Sequence, residues 1–283
     1  DRRRLPPRIT LPNTMPGKPA ILKKLRLLQG TDGWPEERWT DLRAIYYAMC
    51  ARVDHQLGRI LEALTARGFY DDSAIFIFAD HGDFAGDYGI VEKTETSFED
   101  CLTRVPLVIK PPRGTSLAPG IRDSLVELLD FPATVYELAG ITPGYSHFSR
   151  SLLPLIGAPR ASHREAVFSE GGRLKGEIQA THAPTFAQYE NPKECLYWPR
   201  CGLEDSDEEP YHGKAVMCRT ENLKYVRRLY EQDELYDLAK DPSEIRNVIR
   251  DPAYASSILA LKERMLTWYM ETCDVVPFQT DRR

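Results

Sequence analysis

No stretch of this 283-residue chain approaches the roughly 20 consecutive apolar residues that a membrane-spanning helix needs, so a membrane-embedded protein is excluded. Cysteine is sparse. The six residues (Cys50, Cys101, Cys195, Cys201, Cys218, Cys273) form no CxxC pair, which argues against a zinc knuckle, a dithiol redox site or a disulfide-dense miniprotein. Internal repeats, low-complexity tracts and N-x-S/T sequons are also missing. Neither sign of charge dominates, with 37 basic and 42 acidic side chains. A chain that is 42% hydrophobic and 28% charged folds, and its length allows one large domain or a large and a small one. The compartment stays open, with Cys195 and Cys201 as candidates for a small disulfide if the protein is exported. The chain also opens without an initiator Met, a signal-peptide pattern or an obvious strand or helix, and is expected to begin inside a longer protein.

Residues 1–30 hold eight basic residues and one acid, and five prolines between Pro6 and Pro19 forbid continuous helix there. They read as a solvated segment skirting a domain, with a polyanion-binding arm as the alternative. The remainder is acidic, which argues against nucleic acid as a partner. From Thr40 to Arg67, apolar residues from Leu42 to Leu64 recur at steps of three and four, predicting one long amphipathic helix capped by Thr40 or Asp41 and ended at Gly68. Ser73–Ala79 is a continuous apolar run suited to a strand buried on both faces, as in parallel sheets. Val105–Ile109 predicts a second strand, and a short helix capped by Asp130 runs to Ala139. Past residue 160, runs at Ala166–Glu170, Lys214–Thr220, Lys224–Leu229 and Glu234–Leu238 predict a small antiparallel sheet. An irregular Gly171–Gly213 segment interrupts it, and a Pro252–Met270 helix with Asp251 as N-cap closes it.

The segment Ala79-Asp80-His81-Gly82-Asp83-Phe84-Ala85-Gly86-Asp87-Tyr88-Gly89 follows the first strand, where α/β sheets bind ligands. Asp80 offers a hard anionic oxygen and His81 an imidazole nitrogen, a pair suited to a divalent cation. The alternative is a turn-capping aspartate beside a hydrogen-bonded loop histidine. Lys93, twelve residues on, supplies the fixed cation that stabilises a tetrahedral oxyanion beside a metal, unless it is a surface lysine.

These residues carry a resemblance to the sulfatases of the alkaline phosphatase superfamily, including choline sulfatases and phosphonate monoester hydrolases. Phe78-Ala79-Asp80-His81-Gly82-Asp83, Gly86-Asp87 and Lys93 are similar to the family's metal loop. Tyr46-Tyr47-Ala48 with Arg52-Val53-Asp54 and Gly58-Arg59-Ile60-Leu61 resembles its preceding helix, and Phe98-Glu99-Asp100 with Arg104-Val105-Pro106-Leu107 its next strand. Asp130–Ile141, Arg150-Ser151-Leu152-Leu153-Pro154, and Glu234-Leu235-Tyr236-Asp237-Leu238 with Asp241-Pro242-Ser243-Glu244 and Asn247 follow in the family's order.

The resemblance implies an α/β fold: an alkaline-phosphatase-like layered sheet flanked by helices, incomplete here, over residues 1–162. A small C-terminal antiparallel sheet with a closing helix follows over 163–283. It implies a sulfuric ester hydrolase in which Asp80 and His81 bind one divalent metal, Ca²⁺ first and Mn²⁺ or Mg²⁺ next, and Lys93 is the catalytic and substrate-binding contact to sulfate. Asp83 and Asp87 would shape the loop, and Glu99 and Arg104 would be structural partners. The family's nucleophile, a formylglycine made within C-x-P-S-R or C-x-A-x-R, has no match, because Cys101 and Cys50 both fail the pattern. The chain is therefore expected to be the C-terminal part of the enzyme and inactive alone. A phosphonate monoester or phosphodiester hydrolase and a non-catalytic binding module are the alternatives. The expected partner is a small-molecule or carbohydrate sulfate ester, with His182, Tyr189, Trp198 and His212 as uncommitted candidates for contacting it. His147 and His163 lie in no metal-binding context.

Overall fold

A computed structural model describes residues 1–177, 190, 191, 194, 197–204, 206, 208 and 210–275. Helices α1 (Ala20–Gln29) and α2 (Glu36–Ala66) lead into strand β1 (Ile75–Phe78), and the candidate loop and the short α3 (Asp100–Thr103) lead into β2 (Leu107–Lys110). After α4 (Asp130–Ala139) and α5 (Leu153–Gly157) come β3 (Val167–Gly171), α6 (Trp198–Glu204), β4 (Ala215–Arg219), β5 (Leu223–Arg228), β6 (Glu234–Asp237) and the closing helix α7 (Ala255–Thr272). The expected layered α/β part and small C-terminal sheet are both present.

The C-terminal sheet has the order β3-β4-β5-β6, antiparallel throughout. Its strands alternate as a sheet covered on both faces requires. Val216 and Cys218 of β4 join Tyr225, Leu235, Leu261 and Met265 in the core beneath α7, whereas Ala215 and Met217 pack with Phe98 and Val226 on the opposite face. Trp268 of α7 stacks on Phe168 of β3 at 4.5 Å. The Asp251 side chain accepts the Ala253 N–H as expected of an N-cap. Gly171 lies so close to the Glu95 carbonyl that a Cβ would come within 1.7 Å of its oxygen, so the edge strand tolerates no side chain there.

The first sheet departs from expectation. β1 and β2 pair antiparallel, with Ile75 opposite Lys110 and Phe78 opposite Leu107. An apolar run encodes burial but not direction, and the candidate loop with α3 returns the chain beside β1 in the opposite sense. Nor is β1 buried on both faces: Phe131 of α4 covers Phe76 and Phe78 at 4.9 and 5.3 Å, yet Phe78 stays 44% exposed and Val108 of β2 55%.

Helix α2 forms as the periodicity predicts but starts one turn earlier. Thr40 is inside it, returning its hydroxyl to the Glu36 carbonyl, and Asp41 pairs with Arg2 instead of capping. Its apolar stripe is largely uncovered, with Ile45, Met49, Val53 and Ile60 59–65% exposed. Asp130 is not a cap either. Its buried carboxylate accepts the Glu127 and Arg150 backbone N–H groups and pairs with His163 and Arg164, fastening α4 to the segment that enters β3.

The basic N-terminal segment is a structural tie and not the solvated strap expected. Leu11, Met15, Ile21, Leu22 and Leu25 enter a core with Phe84, Tyr88, Ile90 and Leu102. Three of its cations, Arg8, Lys18 and Arg26, are used internally: Arg8 pairs with Glu36, and Arg26 bonds Asp32, Asn13 and the Tyr88 carbonyl. Lys18 is buried in an ion pair with Glu99 at 3.0 Å, its ammonium 4.6 Å from the Tyr88 ring centre and 4.5 Å from that of Tyr236. A lysine so far from water is tolerable only because a carboxylate and two aromatic faces replace its hydration. Among the described residues no helix is long and apolar enough to cross a membrane.

Candidate functional site

β1 delivers Asp80 and His81 just beyond its C-terminal end. The Asp80 carboxylate accepts the His81 backbone N–H at 2.9 Å, and its second oxygen lies 3.9 Å from His81 Nε2. That backbone bond above all, with the Lys93 charge a smaller influence, holds the Asp80 carboxyl below the usual carboxylate range, so it is an anion at neutral pH. His81 Nδ1 is 2.8 Å from the Gly82 carbonyl. A carbonyl only accepts, so Nδ1 carries the proton of the neutral ring and Nε2 presents its lone pair beside the Asp80 oxygen.

The loop beyond is held by its own backbone. Gly82 N–H donates to the Leu102 carbonyl at 2.7 Å, and a Cβ on Gly82 would lie 1.9 Å from the Cys101 carbonyl oxygen, so only glycine allows α3 to seat against the loop. Asp83 accepts the Ala85 N–H, and Asp87 accepts the Ile9 N–H and pairs with Arg43. Both carboxylates therefore shape the loop. Burial, the largest influence, pushes the Asp87 carboxyl up despite Arg43, and it also pushes the Cys101 thiol far up, which disqualifies that cysteine as a thiolate.

The downstream segment is fastened by the C-terminal sheet. Lys224 Nζ donates to the Phe98 carbonyl at 2.7 Å and to Asp100 at 2.6 Å. Arg228 donates to the Thr96 carbonyl and pairs with Glu234, and Glu244 accepts the Asp100 N–H. Glu99 is the structural partner expected, through Lys18. Arg104 is not its partner, because its guanidinium is exposed and makes no side-chain bond among the described residues.

Asp80, His81 and Lys93 all line one open cleft of about 1890 Å³, and Lys93 is near enough to Asp80 for its charge to lower the carboxyl. The half-buried Lys93 ammonium lies 3.5 Å from Glu92. The cleft is also lined by Arg104, Arg200, Arg219 and Trp268, none of which the sequence singled out as a site residue. Trp198 lies on α6, with its ring against Gly202. His212 is fully buried, bonded to the Glu208 carbonyl and packed on Tyr230, which makes it a packing residue. His182, Tyr189 and the Cys195 side of the suggested disulfide lie outside the described residues.

As a cation site, Asp80 and His81 fit by donor chemistry, one anionic oxygen and one imidazole lone pair on the same rim. They are two ligands only. Among the described residues no group of three or more His, Cys, Asp or Glu side chains is arranged to hold a metal.

Against known proteins, residues 17–141 match the Sulfatase family profile. The chain is 29% identical over 236 residues to the multifunctional alkaline phosphatase superfamily protein PehA of Trinickia caryophylli, covering 82% of this chain and 41% of that protein. It is 30% identical over 217 residues to arylsulfatase K of Danio rerio, covering 75% and 35%. The phosphonate monoester hydrolase structure from Agrobacterium radiobacter superposes with a TM-score of 0.64 at 29% identity, over 84% of this chain and 43% of that one. The chain belongs to the sulfatase/alkaline phosphatase superfamily. It spans well under half the length of the two superfamily proteins named first. The Sulfatase match includes the whole candidate loop, from Asp80 through Lys93, and ends one residue after Gly140.

Proposed function

We propose that the protein containing this chain hydrolyses sulfate monoesters in the cleft that holds Asp80, His81 and Lys93. The observation that carries the reading is the convergence of an ionised carboxylate, an imidazole lone pair and a lysine ammonium on one cleft of a superfamily member. Asp80 and His81 would hold a divalent cation, calcium first and manganese or magnesium next, which when bound polarises an ester oxygen. Lys93 binds the sulfate and offsets negative charge gathering on its oxygens as the ester bond breaks. Glu99 and Asp100, anchored by Lys18 and Lys224, fix the segment behind the site and keep its geometry from relaxing toward water. The attacking group, a formylglycine by family resemblance, is not among the residues of this chain. A sulfated carbohydrate is the substrate class favoured, since a Delta 4,5-hexuronate-2-O-sulfatase from Bacteroides thetaiotaomicron is 28% identical over 84% of this chain.

In the full-length protein, Lys93→Ala is expected to lower 4-nitrophenyl sulfate turnover by about 100-fold or more, the scale of losing one charge-stabilising donor. Turnover equal to the parent's would overturn the assignment. A second reading, phosphonate monoester hydrolysis, draws support from the Agrobacterium structure and from the Silicibacter pomeroyi phosphonate monoester hydrolase, with a TM-score of 0.72 at 25% identity. Lysine and cation recognise a tetrahedral anion without regard to its central atom. Relative kcat/KM on 4-nitrophenyl sulfate and 4-nitrophenyl phenylphosphonate decides between them.

A further inference from the structure

Glu92 stands between two cations. One carboxylate oxygen is 3.5 Å from Lys93 Nζ and the other 3.6 Å from Arg200 Nε. Both separations exceed the roughly 2.7–2.9 Å of a well-made charge-assisted hydrogen bond, so the carboxylate spans the gap without closing on either side. Arg200 Nε is buried and has no hydrogen-bond partner among the described residues. Its guanidinium is also 3.9 Å from the buried Glu204, which keeps the side chain turned toward the cleft it lines. Glu92 itself sits at φ 76°, a backbone region that favours glycine, so this side chain is held here against a local preference. At 20% exposure it has water to turn toward.

We propose that Arg200 is a second anion-binding residue of the site, acting with Lys93 on one tetrahedral oxyanion whose place the Glu92 carboxylate holds in the unliganded protein. The two oxygens of a carboxylate, one facing each cation, imitate two oxygens of a sulfate. Local charge supports the exchange. Lys93 and Arg200 are balanced at rest by Glu92 and Glu204, so an arriving oxyanion finds no net positive charge unless Glu92 leaves. Once Glu92 turns out, the anion faces two cations and is bound by donors from two elements, the loop after β1 and helix α6. Glu92 is therefore an internal competitor of the anion.

The inference rests on the reading of Lys93 as the sulfate-contacting cation. Its test is calorimetric titration of the full-length protein with sodium sulfate, at ionic strength fixed with chloride. Glu92→Gln is expected to tighten inorganic sulfate binding about tenfold and Arg200→Gln to weaken it about tenfold, with Arg200→Lys retaining most of the affinity because the charge is kept. In the double variant Glu92→Gln/Arg200→Gln the tightening disappears. Thermal melts of each variant separate loss of binding from loss of fold. Sulfate binding by Glu92→Gln no tighter than the parent's, or by a folded Arg200→Gln as tight as the parent's, overturns the proposal. If Lys93→Ala also binds sulfate like the parent, the failure belongs to the reading of Lys93. An effect of Lys93→Ala without one of Arg200→Gln rejects Arg200 alone.

Discussion

Leu235 in β6 is fully buried, whereas Val108 in β2, an equally apolar residue in an equally short strand, is 55% exposed. The two strands differ in what the described chain lays over them. β6 belongs to a four-stranded sheet clasped by α7 on one face and by the Phe98 segment on the other. β2 has one sheet neighbour, and the long helix that precedes its sheet exposes its own apolar stripe. Sequence composition therefore sets how much a strand gains by being covered, and only topology determines whether it is. Between the regions runs the Lys18–Glu99 pair, which joins the N-terminal tie to the segment behind the site.

The largest effect that tests this contrast is expected at the tie. Lys18→Met strands the buried Glu99 carboxylate and is expected to cost about 3–5 kcal/mol in urea unfolding followed by circular dichroism. The same pair sets a pH dependence. Burial alone would raise the Glu99 carboxyl, but the Lys18 ammonium and its hydrogen bond outweigh it and hold the carboxyl below its usual range. Because the folded-state value is depressed, the stabilisation is full above the unfolded carboxylate's pKa and fades as pH falls through the folded one. Urea midpoints between neutral pH and pH ~3 are expected to drop less steeply in Glu99→Gln than in the parent. Next in size, Leu235→Ala removes a packed side chain from the covered sheet and is expected to cost about 2–4 kcal/mol by the same measurement. Asp251→Ala, which removes a cap that the structure uses, is expected to cost about 1 kcal/mol. Smallest, Val53→Ser on the exposed stripe of α2 is expected to change the stability of the 283-residue chain by less than about 0.5 kcal/mol. A loss matching that of Leu235→Ala would erase the contrast, and a loss seen only in the full-length protein would sharpen it by showing that the stripe is covered there.

Much of the fold was legible because its signals were local. Short strand-like runs from Ala166 to Leu238 marked the four strands of the C-terminal sheet, and the three-four spacing of α2 and the Asp251 cap marked two helices. The direction of β2 was not legible, since pairing sense depends on how the intervening loop closes. The internal use of Lys18 and Arg26 was hidden as well, because their partners Glu99 and Tyr88 are more than 60 residues away. At the site, Asp80, His81 and Lys93 stood out through motif and spacing. Arg200 did not, for it reaches the cleft from α6, a helix inside a segment whose prolines read as irregular. Glu92 beside Lys93 gave no signal either, because its left-handed backbone is visible only in three dimensions.

The way the N-terminal segment is threaded gives it a distinctive susceptibility to proteases. Trypsin needs an accessible, locally unfolded lysine or arginine, and the first four residues offer three exposed arginines with no buried side chain behind them. Arg26 carries the same recognition chemistry but is sealed into the core, and Lys18, equally buried, is followed by Pro19, a bond that trypsin does not cut. Within this segment, digestion is therefore expected to cut at Arg2–Arg4 early and at Arg26 late. Any fragment cut at Arg26 reports that its bonds to Asp32, Asn13 and the Tyr88 carbonyl have already opened, which makes that cleavage a clock for the release of the N-terminal tie from the candidate loop.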